Sequence, residues 1–300
     1  MRKLVFIRFA ARCFLASNLL AAVLAASPKK VLAADVSWVV GGPADWNTAS
    51  NWLPVRVPTG TDNASISNGG TATITADTPT FTDLRFGDGS AFGGTVNQSA
   101  GVLNATGQLR MNIQGSARST YTLSGGSATF TRVNVNETAG NATSTLNVQG
   151  GTLTIPTSNA GAGLGALFIN GGTGSGTGIV NVSNGYLSVG ADTLDDKSIE
   201  VGDGGTNTAQ LNVSGAGVVT KGQGDFNVGN LSPGAINQSG GTMNLFTSGA
   251  AWLYVGRNAN GSYSLSGWKT SLLGLAWSCR GRRSAGGRGR RPIYSNPSTT

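Results

Sequence analysis

From Val96 onward, apolar and polar residues alternate in short runs, and the runs recur. Six phrases share one pattern: VNQSAGVLN from Val96, YTLSGGSAT from Tyr121, LNVQGGTLT from Leu146, VNVSNGYLS from Val180, LNVSGAGVV from Leu211 and INQSGGTMN from Ile236. A seventh, YSLSGWKTS, begins at Tyr263, and successive starts lie 25, 25, 34, 31, 25 and 27 residues apart. Each phrase runs apolar, polar, apolar, then Ser or Gln, a Gly pair or near-pair, and a second short apolar run. After a variable loop comes a third run ending in Asn or Gly: QLRMNI, RVNVNE, LFINGG, IEVGDGG, FNVGN and LYVGRNANG. Alternation with period two predicts strands with one buried face. No window of helical length carries the apolar period of an α-helix.

A unit of about 25 residues with three short strands and no helix has the size of one coil of a parallel β-helix. The expected fold is all-β, a right-handed parallel β-helix (β-solenoid) of about seven coils over residues 81–267. A signal peptide over 1–34 and a Trp-rich capping segment over 35–80 precede it, and an irregular basic tail over 268–300 follows. In such a stack each position meets its counterpart one coil away, at the ~4.8 Å spacing of paired strands. One predicted column is Gly101, Gly126, Gly151, Gly185 and Gly241, with Ala216–Gly217 shifted by one residue. A corner that needs positive φ or close backbone approach explains it. A second column is polar: Asn97, Thr122, Asn147, Asn181, Asn212, Asn237 and Ser264. Stacked amides of this kind bond along the axis. Leu123, Val148, Val182 and Val213 form an inward apolar column. The longer units place their extra residues in loops around 156–165 and 190–197. An antiparallel sandwich also has closely spaced strands, but it does not require one phrase at a near-constant period.

Composition fits turns and strands: Gly is 47 of 300 residues and charged residues only 11%. The net charge of +8 belongs to the chain ends. Residues 1–34 hold six bases and residues 268–300 hold seven, with no acid in either. The remaining eight of 21 bases face all 13 acids, leaving the body at −5. Phosphate binding needs Lys and Arg clustered on the folded surface, so nucleic acid is not an expected partner. The N-terminus has the form of a secretory signal: a basic start, the apolar run CFLASNLLAAVLAA, and small residues at VLAAD, with cleavage expected after Ala33 or Ala34. Cys13 lies in that signal and Cys279 in the tail, so no disulfide is expected in the body.

Residues 35–80 differ in kind, and hold Trp38, Trp46 and Trp52. The stretch DWNTASNW followed by VPTGTDNASISNGGTATIT resembles the opening of bacterial secreted β-helix proteins with autotransporter-associated β-strand repeats. Many of these come from planctomycetes or end in a PEP-CTERM sorting signal. The matching residues are Asp45, Trp46, Asn51, Trp52, Pro58, Asp62, Asn63 and Ala64, and the downstream SGG phrases extend the likeness over residues 36–267. The resemblance implies a mostly uncharged surface presented outside the cell. Physically, the first coil of a solenoid needs a cover for its apolar end. Trp46 and Trp52 suit that role, with Asn and Asp side chains meeting free backbone groups. The rival reading of these rings is a platform for stacked sugars.

The chain has no His, which excludes a Ser–His–Asp triad and His-ligated metals. The densest acids, Asp192, Asp195, Asp196 and Glu200 beside Lys197, belong to one loop and read as solvated. FGDGS at 86–90 and VGDGG at 201–205 read as turns, because calcium-binding rolls need tandem repeats. No catalytic, cofactor-binding or metal-ligating residue is therefore assigned. The expected role is a secreted or cell-surface structural or adhesive passenger-like module without catalytic activity. Its expected partners are extracellular polysaccharide or other surface proteins, with membrane contact only through the signal or a missing C-terminal anchor. The alternative is a polysaccharide-active or carbohydrate-binding β-helix, in which Asp195, Asp203 and Asp225 would converge.

At Trp268 the repeat stops inside a phrase. The Gly column receives a tryptophan, and the acids, the period and the Gly/Thr/Asn composition end together. A genuine basic tail is one reading, but a tail is expected after a completed coil, and a break in mid-phrase is expected of a shifted reading frame. The nucleotide sequence tests this: past codon 267, another frame is expected to continue the paired-Gly strand pattern. Absence of that pattern from every frame would remove the idea.

Overall fold

The computed structural model describes residues 34–114, 118–137, 141–156, 166–172, 174–190, 197–245, 252–266 and 270–272. The signal segment, Trp268, most of the basic tail, and the loops at 157–165 and 191–196 lie outside the described residues. What is described is a parallel β-helix built from sheets of ten, nine and seven strands. One coil visits the nine-, seven- and ten-stranded sheets in turn, as in Ser119–Leu123, Ser127–Thr129 and Arg132–Val135. The next coil repeats this with Thr143–Val148, Thr152–Ile155 and Leu167–Ile169. Neighbours within each sheet pair in parallel, except for Trp52–Leu53, which runs antiparallel to Asp35–Trp38.

The seven phrases begin seven successive rungs of the nine-stranded sheet, from Thr95–Gln98 to Gly261–Leu265. The register is the one the phrase alignment predicts: Asn97, Thr122, Asn147, Asn181, Asn212, Asn237 and Ser264 pair in sequence. Two earlier rungs, Pro43–Asp45 and Thr71–Ile74, extend this sheet toward the N-terminus. Asp35–Trp38 and Asn63–Ile66 do the same for the ten-stranded sheet. The Trp-rich segment thus supplies the first rungs as well as covering them. At the other end, Thr270–Leu272 pairs with Thr242–Leu245, so the backbone ladder is carried past position 268.

Side chains of period two fill the interior in columns. Val96, Tyr121, Leu146, Val180, Leu211 and Ile236 form one buried row. Leu123, Val148, Val182 and Val213 form the next, and its flanking members are the buried amides Gln98 and Gln238. Each glutamine is satisfied in the same way. The Tyr121 hydroxyl donates to Gln98 Oε1 at 2.5 Å, and the Tyr263 hydroxyl to Gln238 Oε1 at 2.6 Å. Gln98 Nε2 donates in turn to the carbonyls of Gly101 and Ser127. Burial pushes the Tyr121 phenol pKa upward, which keeps it a donor.

The Gly column turns the chain between the nine- and seven-stranded sheets. Gly126 has φ +75°, and a Cβ there would lie 2.1 Å from the Gly101 carbonyl oxygen of the preceding coil. Gly185 lacks the positive φ but is held by proximity, with a Cβ falling 2.6 Å from Val148 Cγ1. At the N-terminal end the rings of Trp38 and Trp52 meet edge to face at 4.9 Å, and those of Trp46 and Trp52 at 4.8 Å. Trp46 packs on Phe81 at 5.4 Å, and Trp52 Nε1 donates to the Trp46 carbonyl at 2.8 Å. Asn51 and Asn47 donate to the carbonyls of Asp45 and Asp77. Buried Asp62 is gripped by Arg56 and by the Thr59 amide, and the Arg56 hydrogen bonds hold its carboxyl below its ordinary pKa.

Among the described residues, one cation interrupts the core. Lys221 follows Ile155 and Val189 in the same inward column and is fully buried. Its ammonium donates to the carbonyls of Gln223 and Gly224. Desolvation pushes its pKa down to about 7 from 10.5, against an opposing pull from Asp225. The folded pKa lies below the unfolded one, so across that window the unfolded chain holds a proton that the fold has lost, and stability rises with pH. Lys221→Met is expected to stabilise the protein at pH 7 by about 1–2 kcal/mol, after allowing for the lost carbonyl contacts. It should also flatten the rise in stability between pH 7 and 10.5. Urea denaturation across that pH range measures both effects.

Candidate functional surfaces

Three outer faces are open to a partner, and they differ in chemistry. From Thr71 onward, the strands of the nine-stranded sheet carry no charge. Thr71, Thr95, Thr120 and Thr145 stand in register on four successive rungs. Beside them runs the amide ladder. Asn181 Nδ2 donates to Asn147 Oδ1 at 2.8 Å, Asn212 to Asn181 at 2.8 Å and Asn237 to Asn212 at 2.9 Å, and Asn147 reaches Thr122 Oγ1 at 3.3 Å. The seven-stranded sheet shows Ser127 with Thr129, Thr152 with Thr154, and Thr242 with Asn244, again uncharged.

The charges gather on the ten-stranded sheet. Arg85 and Arg110 face outward on adjacent rungs. Two like charges at strand spacing repel, and acids offset the cost. Arg85 contacts Asp83 at 3.1 Å, Asp88 at 3.2 Å and Asp35 at 3.4 Å. Arg110 holds Glu137 through two bonds of 2.8 and 2.7 Å, which raise its own pKa. The Arg132 guanidinium lies 4.3 Å from the Phe168 ring centre. Further along, buried Glu200 accepts from Asn227 Nδ2 at 2.5 Å, and Arg257 donates to Asn227 Oδ1 at 3.1 Å. Trp252 and Tyr254 end this face.

Of the acids singled out from sequence, Glu200, Asp203 and Asp225 lie along it. Asp192, Asp195 and Asp196 lie outside the described residues. Lys197 is level with Asp225 in the backbone register, and Asp225 lies 3.6 Å from Arg257. Asp203 accepts from Asn230 at 3.1 Å beyond the Gly202 corner. Asp225 and Asp203 therefore sit at opposite ends of one strand pair, separated by roughly 10 Å of extended chain and a turn. They do not face each other as an acid–base pair would. Among the described residues no three metal-ligating side chains converge. The GDG stretches at 87–89 and 202–204 both form corners that follow a strand of the ten-stranded sheet. The cap tryptophans are sealed in: Trp46 and Trp52 are at most 1% exposed, so neither ring offers a face to a sugar.

A second amide ladder is internal. Asn112, Asn136 and Asn170 have φ of 57°, 66° and 63°, a region shunned by most side chains. Gly87, Gly202, Gly229 and Gly256 follow the equivalent strands with the same sign of φ. Asn112 donates to Asn136 at 2.9 Å, Asn136 to Asn170 at 2.7 Å, and Asn170 to the carbonyls of Gly204 and Asn207 at 3.0 Å. The third phrase ending in Asn or Gly was the visible trace of this corner, although the ladder within it was not foreseen. Trp252 was also not singled out, despite being the only tryptophan between Trp52 and Trp268.

No family model, no curated protein and no solved structure matches the chain.

The two ladders should differ in weight. Asn136→Ala loses a corner conformation and two buried hydrogen bonds, an expected cost of about 3 kcal/mol. Asn136→Gly keeps the corner and should cost less. Asn181→Ala, on the wet face, should cost about 1 kcal/mol. Chemical denaturation of the three variants is the measurement, and an equal cost for Asn136→Ala and Asn181→Ala would contradict the assignment.

Proposed function

We propose that the chain is a secreted or cell-surface structural solenoid with an adhesive, passenger-like role and no catalytic activity, of the kind carrying autotransporter-associated β-strand repeats. The observation that supports this reading is the outward amide ladder, in which Asn181, Asn212 and Asn237 each donate to the asparagine one coil before. A surface satisfied in this way is stiff and regular, and suits broad contact better than bond breaking. The separation of Asp203 from Asp225 points the same way.

Full-length protein incubated with pectin, alginate and xylan should release neither reducing ends nor unsaturated products. Protease treatment of intact producing cells should remove it. Turnover abolished by Asp225→Asn or Glu200→Gln would replace this reading with a polysaccharide-active one.

A further inference from the structure

The C-terminal end of the ten-stranded sheet joins aromatic rings to an arginine and an acid on one open surface. Leu253–Val255 is its last rung. Leu253 continues the inward row of Phe226, which turns Tyr254 outward, and Trp252, two residues earlier, lies on the same face. The two rings are 6.5 Å apart and tilted by 36°. Trp252 is 44% exposed, whereas the three tryptophans of the cap are buried. Asp225 Oδ1 accepts the Trp252 backbone N–H at 3.3 Å, fixing the start of the rung. The Arg257 guanidinium lies 4.9 Å from the Tyr254 ring centre, with one Nη group on Asn227 and 3.6 Å from Asp225.

The exposed indole forgoes the gain of burial, and with the Tyr254 ring beside it forms an aromatic patch and not a lone exposed residue. Stability does not explain it, because the adjacent rung begins with Asp225 and still pairs in full with Leu253–Val255. We infer that Trp252, Tyr254, Arg257 and Asp225 form a binding site for a neutral polysaccharide. The exposed indole presents a flat apolar surface to the C–H face of a pyranose ring. Arg257 carries five N–H donors on a planar fork, of which Asn227 takes one, leaving others for sugar hydroxyls. Tyr254 beneath the guanidinium holds the fork in place. The charges decide the class of polymer. Arg257 is balanced by Asp225, and Glu200 lies one rung further in, so the surface offers an acidic polymer no net attraction. The site goes beyond the structural reading, since a solenoid can act as a scaffold without it.

The test immobilises the full chain and titrates it with a β-glucan, a galactomannan and a xylan, with alginate as the acidic control. Saturable binding of at least one neutral polymer is expected, stronger than that of alginate. Trp252→Ala should weaken it by about tenfold or more, and Trp252→Phe by only about threefold. Thr154→Ala, on the seven-stranded sheet, should leave it unchanged. An unaltered melting temperature for Trp252→Ala separates lost binding from lost fold. Failure of all three neutral polymers to bind, a preference for alginate, or full binding by Trp252→Ala overturns the inference. None of those outcomes bears on the non-catalytic reading, which fails only on turnover.

Discussion

Main-chain hydrogen bonds between coils place every residue opposite its own counterpart, at the ~4.8 Å spacing of paired strands. A side chain is therefore tolerated only if it can stand next to a copy of itself. Apolar groups can, and they fill the interior. Asparagine can, because its amide is both donor and acceptor, and one carbonyl and one N–H close the chain from Asn147 to Asn237. Like charges cannot, which accounts for a charged fraction of 11% without invoking any special environment. Arg85 above Arg110 is the instructive exception, and that pair is surrounded by Asp35, Asp83, Asp88 and Glu137.

The same constraint governs the corners. A turn repeated in register must be made by a residue that accepts its φ and leaves room for the neighbouring turn. Glycine meets both demands between the nine- and seven-stranded sheets, where a Cβ on Gly126 or Gly151 would fall on the carbonyl of the preceding glycine. After the ten-stranded sheet the room varies, since a Cβ would fall 2.4 Å from backbone at Gly202 and Gly229 but no closer than 3.3 Å at Gly87. Asparagine enters at three successive coils there and converts a conformational need into a buried ladder. Inward glutamines obey a related rule. Gln98 and Gln238 are tolerated because the next coil supplies a tyrosine hydroxyl. Lys221 donates to the carbonyls of Gln223 and Gly224, and its lowered pKa records the desolvation of a cation in an apolar column.

These relations explain what could be read in advance. The columns of Asn97 to Ser264 and of Gly101 to Gly241 were legible because phrase alignment and strand register are the same operation in a stack. The rungs at 43–45 and 71–74 were less so, because the alignment followed the Ser-Gly-Gly corner, which they lack, while their pairing depends on main chain alone. The link between glutamine and tyrosine was present in the text: both phrases containing NQS are followed by a phrase opening on Tyr. Lys221 could have been found by setting VVTK beneath YLSV and TLTI, where the lysine falls in an apolar column. Which residues share the ten-stranded face could not be read so easily, since loops of unequal length precede its strands.

The distribution of chemistry over the three faces then carries functional meaning. A surface that only had to be stable and soluble would repeat the Thr and Asn pattern all round, because that pattern satisfies itself at every rung. The ten-stranded sheet departs from it over its whole length, with Arg, Asp and Glu in pairs, Phe168 under Arg132, and Trp252 beside Tyr254. Each departure gives up self-pairing and requires an individual partner to compensate. Arg110 finds Glu137, Glu200 finds Asn227, and Arg257 finds Asn227 and Asp225. Trp252, like Leu53 at the opposite edge of the sheet, meets solvent with its outer surface. A stacked fold accepts such irregularity only at a cost in regular bonding, so the face where the irregularity collects is the one where contact with another molecule is physically best motivated.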